Sequence, residues 1–503
     1  MTGVRADSAV DQALRTAQTV APGRLALVTD PGKPGGSLTR AEVDRRSGAL
    51  ADRLCAVLRD QRAGSYAIEV GNDNATDTLL LLIAALRTDI PVFLRDQFAA
   101  DDEQSAVRDE LHRAGVSLVA ARPWQDDGGD VRFQVSHATS GRAPASPGAL
   151  PPGSLVLTSG GTTGRPKLIL DTALRGPNVR EPRLRVTSLL NWAAGQTQFV
   201  PGRLHHGAPL TFFVYGLLDA NCLVVPRRFA PSAAARLIAD QRVNWLQATP
   251  VQLHRMAPYV DREPTALDCL RGVLHMSAPC PPSVKRFWIE RLGPRRVFEI
   301  YGATEGIGLT VARGDDWLAR QGTVGQGFFT QLRILDERMV PLRPGEPGLV
   351  FMRSLGRSGP GYLRAGAGAG LRVSPDGFRS VGDRGHLDED GFLFLEPRRV
   401  DLINVGGENV YPAEVEQVLT RHPGIADAAV TAVPDERLGA RPLAFVMCSP
   451  GWELDEREVI AFCYRHLPRF KLPRRVLLTA EIPYTSAGKI DRRRLADMVP
   501  PAV

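Results

Sequence analysis

The segment Leu155-Val-Leu-Thr-Ser-Gly-Gly-Thr-Thr-Gly-Arg-Pro-Lys167 puts an apolar strand directly before a loop of glycines and hydroxyls that ends in a lysine. Glycines let backbone N–H groups face an anion, hydroxyls add donors, and an ammonium adds charge, so residues 158–167 suit a polyphosphate. A plain surface loop is the alternative, because Gly, Ser and Thr cluster in many loops. The spacing is not that of a Walker A loop, and no G-x-G-x-x-G indicates a dinucleotide site. The preceding strand and the terminal lysine favour phosphate binding by this phosphate loop.

The chain before the phosphate loop alternates between helix and strand. Thr39 is a candidate N-cap, with Glu42 three positions later as its capping-box partner. Short apolar strands separated by helical patterns predict a mainly parallel α/β sheet, and the composition of residues 138–154 predicts a loop. The expected elements are helices at 37–59, 76–87 and 103–114 and strands at 66–70, 90–94 and 117–120.

The pattern changes twice after the phosphate loop. A second α/β run extends from about residue 210 to 308, and short strands with frequent turns over 324–395 predict a β-rich subdomain. The chain then restarts with a helix, two strands and a second helix, which indicates a domain boundary at about residue 398. We therefore expect an α/β fold in which a large N-terminal domain, 1–397, contains two α/β subdomains and the β-rich subdomain. A small α+β C-terminal domain would follow at 398–503.

Composition excludes several classes of protein without selecting a ligand. The 503 residues are 43% hydrophobic and 23% charged, which excludes a peptide, a coiled coil and a disordered tail. Lys and Arg outnumber Asp and Glu by 62 to 55, but no charge block or aromatic-basic motif indicates nucleic acid. Five of the basic residues are lysines, and in so arginine-rich a chain each marks a candidate need for an ammonium: Lys33, Lys167, Lys285, Lys471 and Lys489.

The cysteines and the N-terminus indicate the compartment. Six scattered cysteines without a C-x-x-C pattern predict reduced thiols, with no disulfide framework and no zinc site. The first 18 residues lack the apolar core of a signal peptide, and the strongest hydrophobic run, 79–86, is too short to cross a bilayer. We expect a cytoplasmic protein without a membrane span.

Six motifs in order resemble those of the adenylate-forming superfamily, which includes acyl-CoA synthetases, adenylation domains of nonribosomal peptide synthetases, and luciferases. Any one of them could arise by chance, but the ordered set spans residues 155 to 491. Besides the phosphate loop, the motifs are Ser277-Ala-Pro279, Tyr301-Gly-Ala-Thr-Glu305, Gly382-Asp-Arg-Gly-His-Leu-Asp-Glu-Asp-Gly391, the stretch from Arg398 through GGENVYPAEVE to Glu416, and Ser486-Ala-Gly-Lys-Ile490.

The resemblance implies ATP as substrate and Mg²⁺ as its cofactor. The phosphate loop would hold the β- and γ-phosphates, Thr304 would contact the α-phosphate, and Glu305 would help to bind Mg²⁺. Tyr301 would stack on adenine, and Asp383 would accept hydrogen bonds from ribose, although an Asx-turn is the alternative for that aspartate. The full implied nucleotide site is Thr158, Ser159, Gly160, Gly161, Thr162, Thr163, Gly164, Lys167, Ala278, Pro279, Glu299, Tyr301, Gly302, Ala303, Asp383 and Arg398.

The resemblance also implies that the C-terminal domain is mobile and carries the catalytic lysine. Lys489 would draw the acid and the α-phosphate together and stabilise transition-state charge. Rotation about the junction would then withdraw Lys489 and present the loop at Gly406 and Gly407 to a thiol. The hinge departs from the family pattern, because Pro397 precedes Arg398 and the apolar Val400 occupies the usual charged position, so the balance of orientations is in question.

The candidate acyl pocket contains His206, Phe212, Phe213 and Ser277. Amino-acid-activating relatives use an Asp near Phe212, and its absence argues against an α-amino acid. The acyltransferase motif HH-x-x-x-D-G is not matched either, which argues against a general base here. His206 is therefore interpreted as a wall or gate of the pocket, with a structural histidine as the alternative. HHGAPLTF and SAPCPPSVKRFW resemble medium-chain, long-chain or cyclic-acid CoA synthetases, which favours a bulky apolar acid.

These features predict an ATP-dependent acid–thiol ligase with an acyl-adenylate intermediate and CoA as acceptor. One alternative is the loading of a separate carrier protein's phosphopantetheine. A second is an adenylate-binding protein without turnover, which the complete phosphate loop, Glu305, Asp383 and Lys489 argue against. A third, nucleic-acid binding, is opposed by the scattered arginines.

Overall fold

The computed structural model describes two α/β sheets, a β-rich unit and a separate C-terminal sheet. The helices Arg40–Val57 and Pro250–Val260 are N-capped by Thr39 and Thr249, each of which forms a capping box with the residue three positions later, and the Thr39–Glu42 prediction is confirmed. The structure describes residues 8–58, 66–88, 90–97, 101–114, 116–125, 131–138, 150–151, 153–159, 167–172, 181–263, 265–355, 361–362, 371–396, 402–406, 408–435, 437–485 and 489–500.

The helices of these residues are α1 (Ala9–Val20), α2 (Arg40–Val57), α3 (Thr76–Arg87), α4 (Asp101–Arg113), α5 (Gly207–Leu218), α6 (Pro231–Asp240), α7 (Pro250–Val260), α8 (Thr265–Asp268), α9 (Pro282–Leu292), α10 (Gly314–Ala319), α11 (Pro412–Leu419), α12 (Glu456–His466) and α13 (Arg492–Asp497). The strands are β1 (Leu25–Val28), β2 (Ser37–Thr39), β3 (Tyr66–Asn72), β4 (Val92–Asp96), β5 (Ser117–Gln125), β6 (Val131–Ala138), β7 (Leu155–Ser159), β8 (Lys167–Asp171), β9 (Thr197–Phe199), β10 (Cys222–Val224), β11 (Trp245–Ala248), β12 (Gly272–His275), β13 (Val297–Gly302), β14 (Leu309–Arg313), β15 (Gln326–Gly327), β16 (Thr330–Leu335), β17 (Gly348–Ser354), β18 (Gly361–Tyr362), β19 (Arg372–Val373), β20 (Arg379–Ser380), β21 (Arg384–Leu387), β22 (Leu393–Leu395), β23 (Ile403–Val405), β24 (Glu408–Val410), β25 (Ile425–Asp435), β26 (Gly439–Cys448) and β27 (Val476–Leu478).

The first α/β sheet holds the strands on both sides of the phosphate loop. Its order is β18-β8-β7-β4-β3-β5-β6, and the central strands β7, β4, β3 and β5 are parallel. Strand β8 runs antiparallel to β7, so Ser159 lies opposite Lys167 at the end of the pair. The two ends of the phosphate loop are therefore held together by a sheet.

The second α/β sheet carries the motifs at Ser277 and Tyr301, and its order is β15-β14-β13-β12-β11-β9-β10-β1-β2. The N-terminal strand β1 pairs in parallel with β10, Leu27 opposite Leu223, so the start of the chain completes the later sheet. Local sequence patterns could not predict the pairing of β1 with β10, because the paired residues are almost 200 positions apart. One face packs toward the first sheet through Leu274, Phe298 and Ile300, and the other is covered by α6, α7 and α9.

The β-rich unit and the C-terminal sheet have separate apolar cores. Strands β16, β17 and β19–β22 form the predicted β-rich subdomain, whose interior includes Ile334, Val350 and Leu393. Beyond residue 402, β25 and β26 form a long antiparallel pair with α11 and α12 packed against it. The α/β class with a smaller C-terminal unit is confirmed, while the boundary predicted at 397/398 lies outside the described residues.

Candidate active site

The structure joins Tyr301 and Asp383, which are 82 residues apart in sequence. Tyr301 ends β13 of the second α/β sheet, and Asp383 precedes β21 of the β-rich unit. The Tyr301 hydroxyl donates a hydrogen bond to Asp383 Oδ2 at 2.7 Å, and Asp383 is buried. This hydrogen bond brings two predicted nucleotide-site residues together, and the ribose role of Asp383 stays a prediction beside the Asx-turn alternative.

The turn after Tyr301 meets the strand that enters the phosphate loop. The backbone N–H of Gly306 donates to Ala303 O at 2.9 Å, which closes a turn around Thr304 and Glu305. A Cβ on Gly207, the first residue of α5, would lie 3.5 Å from Thr304 Cγ2 and 3.6 Å from Leu157 Cδ1. Elements from both α/β sheets and the start of α5 therefore converge on one place.

The phosphate loop itself is described only at its ends. Thr158 and Ser159 close β7, and Lys167 opens β8. Of the predicted contact residues, Gly160, Gly161, Thr162, Thr163 and Gly164 lie outside the described residues. Their roles remain predictions.

The Ser277-Ala278-Pro279 loop follows β12 and runs beside the turn at Tyr301. Ser277 has a φ of 78°, a left-handed conformation that side chains rarely adopt and that recurs at functional loops. Strand β12 pairs in parallel with β13, with His275 opposite Glu299. The two segments predicted to enclose adenine thus leave neighbouring strands at the same edge of the sheet, where ligands of parallel sheets bind.

Glu299 lies beneath these loops rather than on an open surface. Its carboxylate is 2.5 Å from Lys285 Nζ, and the two residues are only 7% and 4% exposed. Burial raises the pKa of Glu299, and the Lys285 ammonium opposes that shift. Lys285 is one of the five lysines and lies within the stretch SAPCPPSVKRFW, but neither observation assigns it a partner or a role. Only the fold shows that it pairs with Glu299.

The candidate acyl pocket is partly core. Phe212 and Phe213 on α5 are fully buried, and Phe212 packs against Trp192 and Trp245 with ring centroids 6.2 and 5.0 Å apart. His206 is the half-buried residue before α5, and its ring centroid is 4.1 Å from that of His205. The start of α5 therefore joins this aromatic region to the turn at Thr304, and the acyl-pocket role of these residues stays a prediction.

His205, the first residue of the segment 205–216 that was predicted to contribute to the acyl pocket, lies in the interior of the fold. It is buried, and its Nε2 lies 3.3 Å from Asp96 Oδ2 at the end of β4. Burial and then the neighbouring His206 lower the pKa of His205 to about 3, so the ring is neutral at physiological pH. The adjacent pair of histidines was a signal in the sequence, but only the fold separates the buried one from the half-exposed one.

Two predicted site residues of the C-terminal unit, Lys489 and Gly406, lie at exposed positions. Lys489 is exposed, and its backbone N–H donates to Thr485 Oγ1 at 3.3 Å. Gly406, with a φ of 59°, makes the turn between β23 and β24. The remaining residues predicted here, Pro397, Arg398, Val400 and Gly407, lie outside the described residues.

Glu305 is a suitable ligand for Mg²⁺ beside a polyphosphate. It is a half-buried carboxylate in the turn that faces the phosphate-loop strand, and Mg²⁺ is typically held by one or two carboxylates together with phosphate oxygens. Among the described residues there is no group of three His, Cys, Asp or Glu that could form an all-protein metal site. The donor set therefore fits a metal that arrives with the nucleotide.

No described helix is both long and apolar enough to pass through a membrane.

The fold consists of a large α/β part and a smaller C-terminal unit, and comparison with known proteins identifies the family. Residues 14–363 match the AMP-binding enzyme family and residues 414–489 match the AMP-binding enzyme C-terminal domain. The chain belongs to the AMP-binding enzyme family, and its curated relatives include acyl-CoA ligases.

Two relatives and one solved structure illustrate the similarity. The chain is 31% identical to 2-succinylbenzoate–CoA ligase of Bacillus licheniformis over 350 residues, 68% of this chain and 69% of that protein. It is 28% identical to feruloyl-CoA synthase of an Amycolatopsis species over 91% of this chain and 93% of that protein. The Bacillus subtilis o-succinylbenzoate CoA synthetase, solved with its acyl-adenylate intermediate, superposes with a TM-score of 0.70 at 21% identity, covering 97% and 98% of the two chains.

Proposed function

We propose that the protein activates a bulky apolar, aromatic or cyclic carboxylic acid with ATP and transfers the acyl group to CoA. The observation that carries this proposal is the convergence of Tyr301, Asp383, Thr304 and Leu157 at one edge of two sheets. The names of relatives that act on 2-succinylbenzoate and ferulate support the class of acid.

In the first step, a carboxylate oxygen of the acid attacks the α-phosphorus of ATP, and the bond to pyrophosphate breaks. All of these groups are anionic, so cations and N–H donors at the α-phosphate provide most of the catalysis. Thr304 would donate to the α-phosphate, Asp383 would accept from ribose, and Lys489 would neutralise charge on the acid and the α-phosphate. Glu305 would hold Mg²⁺, which would neutralise phosphate charge when bound; a fold neighbour was solved with ATP and magnesium ion.

In the second step, the thiolate of CoA attacks the acyl carbon, and AMP leaves with the electrons of the C–O bond. We propose that the domain from residue 398 to 503 rotates between the steps, so that Lys489 leaves and the hairpin at Gly406 and Gly407 approaches. The separate core of the C-terminal sheet, with Val415, Val430 and Val446 in its interior, supports the proposed rotation. Such a unit can move without unpacking the nucleotide pocket.

The acyl pocket would lie beside α5. The start of α5 at Gly207 lies next to Thr304, and the rings of Trp192, Phe212 and Trp245 form an apolar aromatic core behind that helix. No acidic residue of α5 could hold an α-ammonium, since its sequence is GAPLTFFVYGLL. These features support an acid without an α-amino group.

A panel of carboxylic acids tests the proposal. Aromatic, cyclic and fatty acids are incubated with ATP, Mg²⁺ and CoA, and both pyrophosphate release and the mass of acyl-CoA are measured. We expect stoichiometric AMP and acyl-CoA with at least one bulky acid and none with α-amino acids. Acid-dependent pyrophosphate release without acyl-CoA would indicate another acceptor, such as a carrier protein. A complete absence of acid-dependent pyrophosphate exchange would overturn the proposal in favour of adenylate binding without turnover.

A further inference from the structure

The second α/β sheet contains a buried polar cluster in which Lys285 and His275 have no role in the proposed reaction, whereas Glu299 belongs to the implied nucleotide site. Lys285 of α9 reaches Glu299 of β13 at 2.5 Å, and His275 Nδ1 is 3.8 Å from the other carboxylate oxygen. His275 is 1% exposed, and neither ring nitrogen has a hydrogen-bond partner among the residues that the structure describes. Such a cluster is costly to bury, because both charges and the imidazole lose their hydration.

The position of the cluster relates it to the nucleotide pocket. Glu299 and Tyr301 are two residues apart on one strand, so both side chains point to the same face of the sheet. His275 lies opposite Glu299 and precedes the Ser277-Ala278-Pro279 loop by two residues. The cluster therefore lies directly beneath the two segments proposed to enclose adenine.

Further contacts fix the lysine in this location. Lys285 Nζ is 5.0 Å from the centroid of the Trp317 ring, which attracts the ammonium. Cys280, next to the Ser277 loop, feels the charges of both Lys285 and Glu299, and burial raises the pKa of its thiol to about 12. The ammonium of Lys285 thus contacts a carboxylate and an aromatic ring at once within the interior.

We infer that Lys285 is a positioning residue for ATP: by holding the Glu299 carboxylate between β12 and β13, it fixes the spacing of the two loops that bind the nucleotide. The inference rests on the proposed function, since the loops matter only if the pocket takes ATP. A buried ion pair can instead serve the fold alone, and replacing both charges by apolar groups often preserves or increases stability. The two roles therefore predict different results for single and double variants.

The experiment measures ATP·Mg²⁺ binding by titration calorimetry, without acid or CoA, together with the melting temperature of the free protein. Lys285→Met should lower the melting temperature and weaken ATP binding about tenfold or more, because a charged buried contact is lost. The double variant Lys285→Met/Glu299→Leu should recover the melting temperature but keep the weak ATP binding. Lys471→Met is the matched control, since its ion pair with Glu414, also 2.5 Å, is far from the pocket in sequence and fold; it should bind ATP normally.

The outcomes separate this inference from the proposed function. If the wild-type protein binds no ATP, the proposed function fails. If it binds ATP and the double variant recovers both melting temperature and affinity, the pair serves only the fold and the inference is overturned. Unchanged affinity in Lys285→Met would overturn it as well. If Lys285→Met does not fold, the double variant alone decides, because it tests affinity in a stable protein.

Discussion

Two lysines of this chain occupy opposite environments, and the contrast explains how the molecule is organised. Lys285 is enclosed in the second α/β sheet, where Glu299 and Trp317 hold it. Lys489 is exposed on a hairpin of the C-terminal unit. A side chain such as Lys285, which is proposed to position the pocket, has to stay in place. A side chain such as Lys489, which is proposed to enter and leave the site, has to belong to a unit that folds around its own core.

The Lys489 hairpin has such a support. Tyr484 donates to the carboxylate of Asp427 at 2.9 Å, and Thr485 N–H donates to Lys489 O at 2.8 Å. The same region touches the N-terminal part, since His254 Nε2 of α7 lies 2.9 Å from Ala426 O. The described residues on both sides of Lys489 are therefore anchored to the C-terminal unit, and the contact of His254 with Ala426 is one that the proposed rotation would change.

Removing the mobile ammonium should have the largest effect. Lys489→Ala should lower acid-dependent adenylation by about 100- to 1000-fold, as expected when a charge that stabilises the transition state is lost. Thiolation of a supplied acyl-AMP should be retained, because Lys489 is proposed to be absent from that step. Stopped reactions on both substrates check this, with Lys33→Ala, an exposed lysine paired with Asp30, as control. Equal loss of both half-reactions would contradict the role of Lys489.

Loosening the fixed pocket should have a smaller effect of a different kind. Tyr301→Phe removes the hydroxyl that donates to Asp383 at 2.7 Å. The KM for ATP should rise about tenfold, since a hydrogen bond to a carboxylate is lost, while the KM for the acid should change little. Steady-state kinetics with each substrate varied in turn measure this. A change in kcat alone would place Tyr301 outside the nucleotide pocket.

The pH dependence of stability should differ between the two regions, because two buried histidines act in the N-terminal sheets, where Glu299, whose pKa burial raises, opposes them only in part. Burial lowers the pKa of His275 well below 6.5 and that of His205 to about 3. Below pH 6.5 these histidines bind protons in the unfolded chain but stay neutral in the folded chain. The free energy of unfolding therefore falls by up to about 1.4 kcal/mol per pH unit for each histidine. Burial raises the pKa of Asp427, so its charged form destabilises the C-terminal unit and protonation at acid pH restores stability.

Regional hydrogen exchange at pH 5 and pH 7 checks this difference. Strands β9 to β13 should lose protection at pH 5 relative to β25 and β26. His275→Gln should reduce that loss, whereas His466→Gln, an exposed histidine at the end of α12, should not. Uniform loss of protection across both regions would show that these buried groups do not control the pH response.

The smallest effect is expected at the hinge. Val400→Asp would add the polar contacts that the family pattern has at this position, so the thiolation rate should change by a few-fold with adenylation nearly constant. Rapid mixing of preformed acyl-adenylate with CoA measures that rate. An unchanged rate would mean that Val400 does not affect the balance of orientations.

Much of the fold followed from local pattern. The capping box at Thr39, the helix of residues 76–87 and the strand before the phosphate loop depend on neighbours in sequence, and each was predicted within a few residues. The pairing of β1 with β10 was not predictable, because register between distant strands depends on packing. For the same reason the Lys285–Glu299 ion pair could not be predicted, since its partners lie on a helix and a strand, 14 residues apart.

The sequence by itself determined the chemistry that this protein can perform, because ordered motifs specify which groups are available for phosphate, ribose, metal and acid. It also determined the alternation of helix and strand, which is written in local hydrophobic periodicity. Tertiary structure alone decided which groups meet: Tyr301 with Asp383, Thr304 beside Leu157, and Lys285 with Glu299. These contacts depend on distance and burial in three dimensions. Burial is also what distinguishes Lys285, enclosed beside Glu299, from the exposed Lys489.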